Sequence, residues 1–281
     1  MGVKINVRKA SGEEQPFKVE KLEGSLRSAG AKREDIREIV ADISDWIYPG
    51  VETRKIYRRA FNLLKRLRRV TAARYKLKQA IFELGPTGYP FEHFLGKLFS
   101  RQGYDVEVGV HLEGKCVIHE MDVVAVKDHT RHLVECKYGR DQGKVVTVQT
   151  PLYVRARIDD IVDGYASEER YSGSRVNGWV ITNTRFSADA ISYGSCAGLN
   201  LMAWDYPHGN GLKETIERAG IYPLTVLTTL TVKEKQRLLD NGIVICSQLL
   251  DNLDALDEIN LPRKKSTALV KELNDILHLG K

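Results

Sequence analysis

Two short apolar runs near the middle of the chain, Val123-Val124-Ala125-Val126 and Leu133-Val134, constrain the fold most. Each is strand-length, and the polar stretch between them is short enough for a hairpin. Around them the pattern alternates between periods of about 3.6 and 2. It reads helix over 90–101, strands over 104–110, 116–126 and 132–138, helix over 145–160, strand over 177–182, helix over 186–196 and strand over 199–204. Strands that alternate with helices of this length predict an α/β sheet domain. Leu84-Gly85-Pro86-Thr87-Gly88 marks its start, and Pro207, Gly209 and Gly211 mark its end, giving segments 1–84, 85–210 and 211–281.

The flanking segments read differently. A strand over Val3–Val7, a turn at Ser11-Gly12 and an extended stretch over Pro16–Val19 predict a hairpin. Helical patterns follow over 20–30, 34–48, 53–70 and 71–84, with Thr53 as the expected N-cap of the third after the Pro49-Gly50 break. The last segment is helical over 231–240, 246–258 and 266–277. Thr231 and Ser247 are the expected caps, and Asn241-Gly242 the stop.

Charge separates the three segments further. Lys and Arg number 43 against 37 Asp and Glu, a net +6. Residues 1–84 hold 20 basic and 11 acidic side chains, 85–210 hold 13 and 16, and 211–281 hold 10 and 10. Residues 54–78 carry eleven Lys/Arg and no Asp or Glu. Such a run suits nucleic acid or nucleotide phosphates. It equally suits a solvated helix face, because Ile56, Ala60, Leu63, Leu64, Leu67 and Val70 recur at helical spacing on the other side. No run approaches the roughly 18 apolar residues of a spanning helix, so no membrane partner is expected. Met1-Gly2-Val3-Lys4-Ile5 has no signal core, and Cys116, Cys136, Cys196 and Cys246 lie far apart, without a C-x-x-C pair. That argues against a zinc knuckle, and the expected location is cytoplasmic.

The strand pair carries the chemistry. Glu120-x-Asp122 precedes the first apolar run, and the second continues as Glu135-Cys136-Lys137. On a strand Glu135 and Lys137 point to one side and Cys136 to the other. If the strands are hairpin neighbours, Asp122 meets Glu135 with Lys137 one step further. Two carboxylates so placed repel unless a cation lies between them, and hard oxygen donors suit Mg²⁺ or Mn²⁺. A lysine beside that ion can orient or deprotonate a water attacking a phosphodiester. The plainer alternative is a polar strand face carrying one salt bridge.

This arrangement, over about residues 88–206, resembles the PD-(D/E)XK nuclease superfamily and within it the Mrr-like and RecB-like branches. The acid-then-acid-x-lysine signature stands as Asp122, Glu135 and Lys137. Tyr89-Pro90-Phe91-Glu92 matches the helix whose glutamate joins the metal site, and Gln149-Thr150-Pro151-Leu152-Tyr153 matches a Q-x-x-x-Y element. Thr182-Asn183-Thr184-x-Phe186-Ser187 is similar to the distal half of Mrr-type domains. The resemblance implies catalytic roles for Asp122, Glu135, Lys137, Gln149 and Glu92. It also implies a Mg²⁺ or Mn²⁺ site at Asp122, Glu135, the Cys136 carbonyl and Glu92. Glu120 and Tyr153 are expected in supporting positions, and His119 as a candidate proton or metal partner.

The amino-terminal motifs Val7-Arg8-Lys9-Ala10-Ser11-Gly12 and Pro16-Phe17-Lys18-Val19-Glu20-Lys21-Leu22, with Thr71-Ala72-Ala73-Arg74-Tyr75, resemble the ATP-cone module. This implies a helical bundle under a β-hairpin lid that binds ATP or dATP through Lys9, Lys21 and Thr53. Ala10 stands where an arginine is usual, and Tyr57 where some members have histidine. Nothing resembles a Walker A loop, so the nucleotide is expected as an allosteric ligand. Asn241-Gly242-Ile243 and Leu261-Pro262-Arg263-Lys264-Lys265 are similar to a degenerate helix-hairpin-helix module; a packing or dimerisation unit is the alternative. The expected protein is thus a multidomain α/β chain acting as a metal-dependent DNA endonuclease under nucleotide control. Two other readings compete: a catalytically inert nucleotide-sensing DNA-binding regulator, and an assembly protein whose amino-terminal module sets the state of a homo-oligomer.

Overall fold

The computed structural model describes residues 5–9, 12–166 and 173–278. The expected strand start at Val3, together with Ala10, Ser11 and the side chain of Val70, lies outside the described residues. The fold is mixed α/β, with helices on both sides of a central five-stranded sheet.

That sheet comprises β4 (Asp105–Glu113), β5 (Ile118–Lys127), β6 (Thr130–Lys137), β8 (Arg175–Thr182) and β10 (Asn200–Met202), in the order β10-β8-β6-β5-β4. The hairpin strands β4, β5 and β6 run antiparallel, whereas β6, β8 and β10 are parallel. Parallel neighbours need crossovers, and α7 (Gln149–Tyr165) and α8 (Ala188–Cys196) supply them. Alternation sorts the strand residues into two cores. Val123, Ala125, Val134, Cys136 and Ile181 pack with Phe91, Phe94 and Leu95 of α6 (Tyr89–Arg101). Val124, Leu133 and Val180 pack with Val154, Ile158 and Ile161 of α7. A pair of two-residue strands, β7 (Val145–Val146) and β9 (Arg185–Phe186), lies beside this sheet.

The amino-terminal segment is a hairpin of β1 (Asn6–Arg8) and β2 (Glu14–Pro16) beside α1 (Val19–Ser28), α2 (Arg33–Trp46) and α3 (Thr53–Leu67). Its core is Val7, Leu22, Leu26, Ile39, Ile43, Ile56, Ala60 and Leu64. A strand absent from the sequence reading, β3 (Val51–Glu52), adds to β1 in parallel. Glu52, extended in that pairing, therefore occupies the cap position of α3, and Thr53 is the first helical residue rather than the cap. The helix stops at Leu67 because Arg68 turns extended, with its guanidinium on Asp35 at 2.7 Å and Glu34 at 3.3 Å. The single helix expected over 71–84 is two, α4 (Arg69–Tyr75) and α5 (Leu77–Phe82).

The remaining helices among the described residues are α9 (Leu212–Ala219), α10 (Val232–Asp240), α11 (Cys246–Asp251), α12 (Ala255–Glu258) and α13 (Arg263–His278), with a 3₁₀ turn at Leu224–Val226. Thr231 caps α10 as expected, its hydroxyl accepting from the Glu234 N–H at 3.3 Å. Ser247 lies inside α11 instead of capping it. Gln248 does that work, its side-chain oxygen accepting from the N–H groups of Val244 and Ile245 at 3.1 and 3.2 Å. One continuous core joins Ala73, Leu77, Ala80 and Ile81 to Phe91 and Phe94 and onward to Leu224, Leu238, Leu269 and Leu273. The glycine-proline turn at Gly85-Pro86 bends the chain without dividing that core. Among the described residues no helix is long and apolar enough to cross a membrane.

Lys235 on α10 is buried in the joint between α5 and the carboxy-terminal helices. Its ammonium and that of Lys76 donate to one acceptor, the Thr225 carbonyl, at 2.8 and 3.1 Å. Burial, and then the neighbouring Lys76 charge, push the Lys235 pKa from 10.5 down to about 8. Between these values the unfolded chain binds more protons than the folded one. Stability contributed by this group therefore rises with pH through the window and is lost as pH falls through about 8. Urea midpoints of the wild type and Lys235→Met across pH 7.5–9.5 test this (a window chosen to bracket about 8). The wild type is expected to gain on the variant as pH rises, and a pH-independent difference would contradict the assignment.

Candidate active site

The β5–β6 ladder closes at Val123↔Val134, while β6 stays paired with β8 out to Lys137↔Thr182. Beyond Val123 the two hairpin strands separate, and the gap is where the acids lie. The Cys136 N–H, which a continuing ladder would direct to a backbone carbonyl, donates to Asp122 Oδ2 at 2.6 Å. On the opposite strand Val108 and Val110 pair with Val123 and Met121, but Gly109, which falls opposite Asp122, has a left-handed φ of 68°. Alternation slips there: Met121 and Val124 share the α7-side core, with Val123 on the other side. A glycine-dependent irregularity of this kind re-aims a strand side chain.

Glu135 is buried and fully engaged. Oε1 accepts from Lys137 Nζ at 2.5 Å and from the Tyr153 hydroxyl at 2.8 Å, and Oε2 accepts from Arg157 NH1 at 2.8 Å. Gln149, Tyr153 and Arg157 are four residues apart along α7, so they share one helix face. Arg157 was missed in the sequence, although continuing the four-residue step past Tyr153 reaches it. Gln149 is exposed at the start of that row, and Glu92 is in the first turn of α6.

The electrostatics follow from this crowding. Burial first, then the Glu135 and Glu92 charges, push the Asp122 carboxyl up to about 7, against the pull of the Cys136 N–H. Glu92 is also raised, by burial and then by Glu120 and Glu135. Burial would lower Lys137, but its hydrogen bonds to Glu135 and Tyr153 outweigh that and hold it above the ordinary lysine value. Among the described residues no group of three or more His, Cys, Asp or Glu side chains is placed to hold a metal ion.

Neighbouring groups hold this geometry. Thr182 Oγ1 donates to the Lys137 carbonyl at 2.7 Å, and the Asn183 amide brackets Gly139, accepting from its N–H at 2.7 Å and donating to its carbonyl at 2.8 Å. Tyr138 receives the Gly85 N–H at 2.7 Å and donates to the Phe82 carbonyl at 2.6 Å. His119 is bonded to Asp160 at 2.8 Å, and Asp160 also accepts from the Cys116 N–H at 2.9 Å. That pair ties the β4–β5 turn to α7. Gly164, whose missing side chain leaves room for the backbone at Gly114 and Lys115, allows the same approach. Cys136 has its thiol buried in the α6-side core. A cleft of about 500 Å³ opens beside Lys137, lined also by Pro86, Gly88, Tyr138, Arg140 and Lys144.

Residues 86–206 match the family described as restriction endonuclease, Mrr catalytic type. They form a restriction-endonuclease-like domain. Residues 222–277 match a second family, described as AF1548-like, C-terminal. A protein of Archaeoglobus fulgidus, described as uncharacterized, is 29% identical over 184 residues, which is 65% of this chain and 99% of that protein. A crystal structure described as a protein of unknown function, AF1548, is similar with a TM-score of 0.55 and 28% identity, covering 68% of this chain and 99% of that one. The restriction-endonuclease-like domain suggests a nuclease with DNA as substrate. Asp122, Glu135, Lys137, Gln149 and Glu92 all lie inside its matched span.

Proposed function

We propose that the protein is a divalent-metal-dependent DNA endonuclease whose amino-terminal unit binds ATP or dATP as a regulatory ligand. The observation that carries the nuclease reading is the strand fork. There the Cys136 N–H holds Asp122 at the open end of the ladder, and Lys137 holds Glu135. Asp122, Glu135 and the Cys136 carbonyl would hold Mg²⁺ or Mn²⁺, with Glu92 beside them. The donor set fits: all donors are hard oxygens, and the mutual repulsion that lifts Asp122 is what a dication relieves. The open site fits as well, because Mg²⁺ is usually held by one or two carboxylates, water and substrate phosphate.

When bound, the ion supplies Lewis-acid stabilisation of the charge developing on a phosphodiester oxygen. Lys137, beside Glu135, orients the attacking water and stabilises the developing charge by hydrogen bonding. Tyr153 and Arg157 fix the Glu135 carboxylate, and Gln149 at the open end of their row faces substrate. Arg140 and Lys144 in the adjoining cleft supply cations for neighbouring phosphates.

The nucleotide reading rests on register. Val7 and Arg8 pair with Val51 and Glu52, so the strand that carries Lys9 ends its pairing where α3 begins at Thr53. Lys21 is exposed in the first turns of α1, and Lys9 Nζ is paired with Glu13 at 3.0 Å. Incubation of supercoiled plasmid with the protein and Mg²⁺ or Mn²⁺ is the deciding experiment. Nicking that EDTA abolishes and that ATP or dATP changes is expected. No nicking with either metal would overturn the nuclease reading, and nicking indifferent to nucleotide would remove the regulatory one.

A further inference from the structure

The restriction-endonuclease-like domain is poorly charged for its substrate. Segment 85–210 has 16 acidic against 13 basic side chains, and the carboxy-terminal segment is balanced at 10 and 10. Affinity for a duplex comes largely from cations that displace counterions from phosphates, so most of that term must originate elsewhere in the chain. The basic excess is in the amino-terminal segment, and the run 54–78 in it contains two contrasting groups.

One group is internally neutralised. Arg59 holds Asp42 through two nitrogens, Arg68 binds Asp35 and Glu34, and Lys76 binds Glu83 at 2.6 Å. The other group has no ion-pair partner among the described residues: Arg54, Lys55, Arg58 and Lys65. Arg54, Lys55 and Arg58 are exposed and Lys65 is half-exposed. At 100° per residue these four fall within about 100° of arc on α3, with Arg54, Arg58 and Lys65 inside about 40°. Asn62, exposed, lies in the same arc. The row runs about 16 Å along the helix, a length over which one DNA strand offers about five phosphates. The opposite face of α3, Ile56, Ala60 and Leu64, is buried in the bundle core. The helix therefore has no free apolar face to lay into a membrane, which leaves polyanion recognition as the chemistry that matches.

We infer that the solvent face of α3, through Arg54, Arg58 and Lys65 with Lys55 beside them, is a DNA-backbone binding surface that holds the duplex for the restriction-endonuclease-like domain. The inference rests on the reading of that domain as acting on DNA. The surface contacts phosphates and carries no sequence information of its own.

The test is binding of the full chain to a blunt duplex in EDTA, measured by fluorescence anisotropy across a salt series, with cleavage in Mg²⁺ followed separately. Arg54→Gln, Arg58→Gln and Lys65→Gln combined are expected to lower the magnitude of the log K against log[salt] slope by about 2.7, and to cost about 10²-fold in affinity at 100 mM salt. A control that removes the same charge from the carboxy-terminal segment away from its hairpins, Lys233→Gln, Arg237→Gln and Lys271→Gln combined, all exposed, should leave the slope close to that of the wild type. An unchanged melting transition in both variants verifies the fold. Equal slopes in wild type and the α3 variant, equal losses in the α3 and control variants, or no salt-dependent duplex binding by the wild type would each overturn the inference. A duplex bound through α3 but never cut would keep this surface and sink the nuclease reading. A duplex cut with no dependence on α3 would do the reverse.

Discussion

Asp122→Asn will reduce plasmid nicking by about 10³-fold or more while leaving the protein at least as stable as the wild type. The two effects have one cause. Asp122 is held in a position that opposes its own ionisation, with burial, Glu135 and Glu92 together lifting its carboxyl to about 7. Asparagine has the shape of the neutral acid and keeps an oxygen for the Cys136 N–H, now at 2.6 Å from Asp122. It removes the like-charge repulsion together with the charge on which cation binding would depend. A site where function requires an unfavourable arrangement shows this opposition of activity and stability. Lys137→Ala should lose activity to a similar degree for a different reason, since it removes the ammonium that faces Glu135 at 2.5 Å. Lys137→Arg should not restore it, because a planar fork cannot replace a compact point charge there. Nicking assays beside thermal melts check all three variants. Full activity in Asp122→Asn, or a melting point well below that of the wild type, would refute the account.

The central sheet and its acid-lysine triplet were legible because they depend on local rules. Alternation puts Glu135 and Lys137 on one side, and the hairpin that closes at Val123↔Val134 leaves Asp122 and Glu135 next to one another at its open end. What could not be read depends on contacts distant in sequence. The slip in alternation at Asp122 comes from the left-handed Gly109 on a neighbouring strand, and no pattern within β5 announces it. β3 is only two residues, Val51 and Glu52, and is defined by its pairing with β1. The stop of α3 at Leu67 follows from Asp35 and Glu34 drawing Arg68 aside, although its own sequence continues to favour helix. Arg157 is the exception, since its four-residue spacing from Tyr153 was visible and only the role was not.

The largest loss of stability is expected from a residue outside the candidate site, Glu272 on α13. This carboxylate is buried and serves three donors: Oε1 accepts from the Thr228 N–H at 2.7 Å and the Thr228 hydroxyl at 2.6 Å, and Oε2 accepts from the Thr229 N–H at 2.9 Å. The same stretch of chain anchors the carboxy-terminal helices to the rest of the molecule. Thr225 Oγ1 donates to the Ala80 carbonyl of α5 at 2.6 Å, and its own carbonyl takes Lys235 and Lys76. Glu272→Ala leaves two backbone N–H groups and a hydroxyl, on the half-buried Thr228 and Thr229, without their acceptor. At roughly 1–3 kcal/mol for each buried unsatisfied group, with partial relief by relaxation, the cost is roughly 3–5 kcal/mol. Glu272→Gln keeps the volume and one acceptor oxygen but turns an amide N–H₂ toward a donor, so it should cost about half as much. Urea denaturation separates the two explanations of such a loss. If packing were the cause, glutamine would behave as the wild type. If hydrogen bonding is, the midpoints fall in the order wild type, Gln, Ala, and the carboxy-terminal amides of 228 and 229 lose their protection from hydrogen exchange before those of the central sheet.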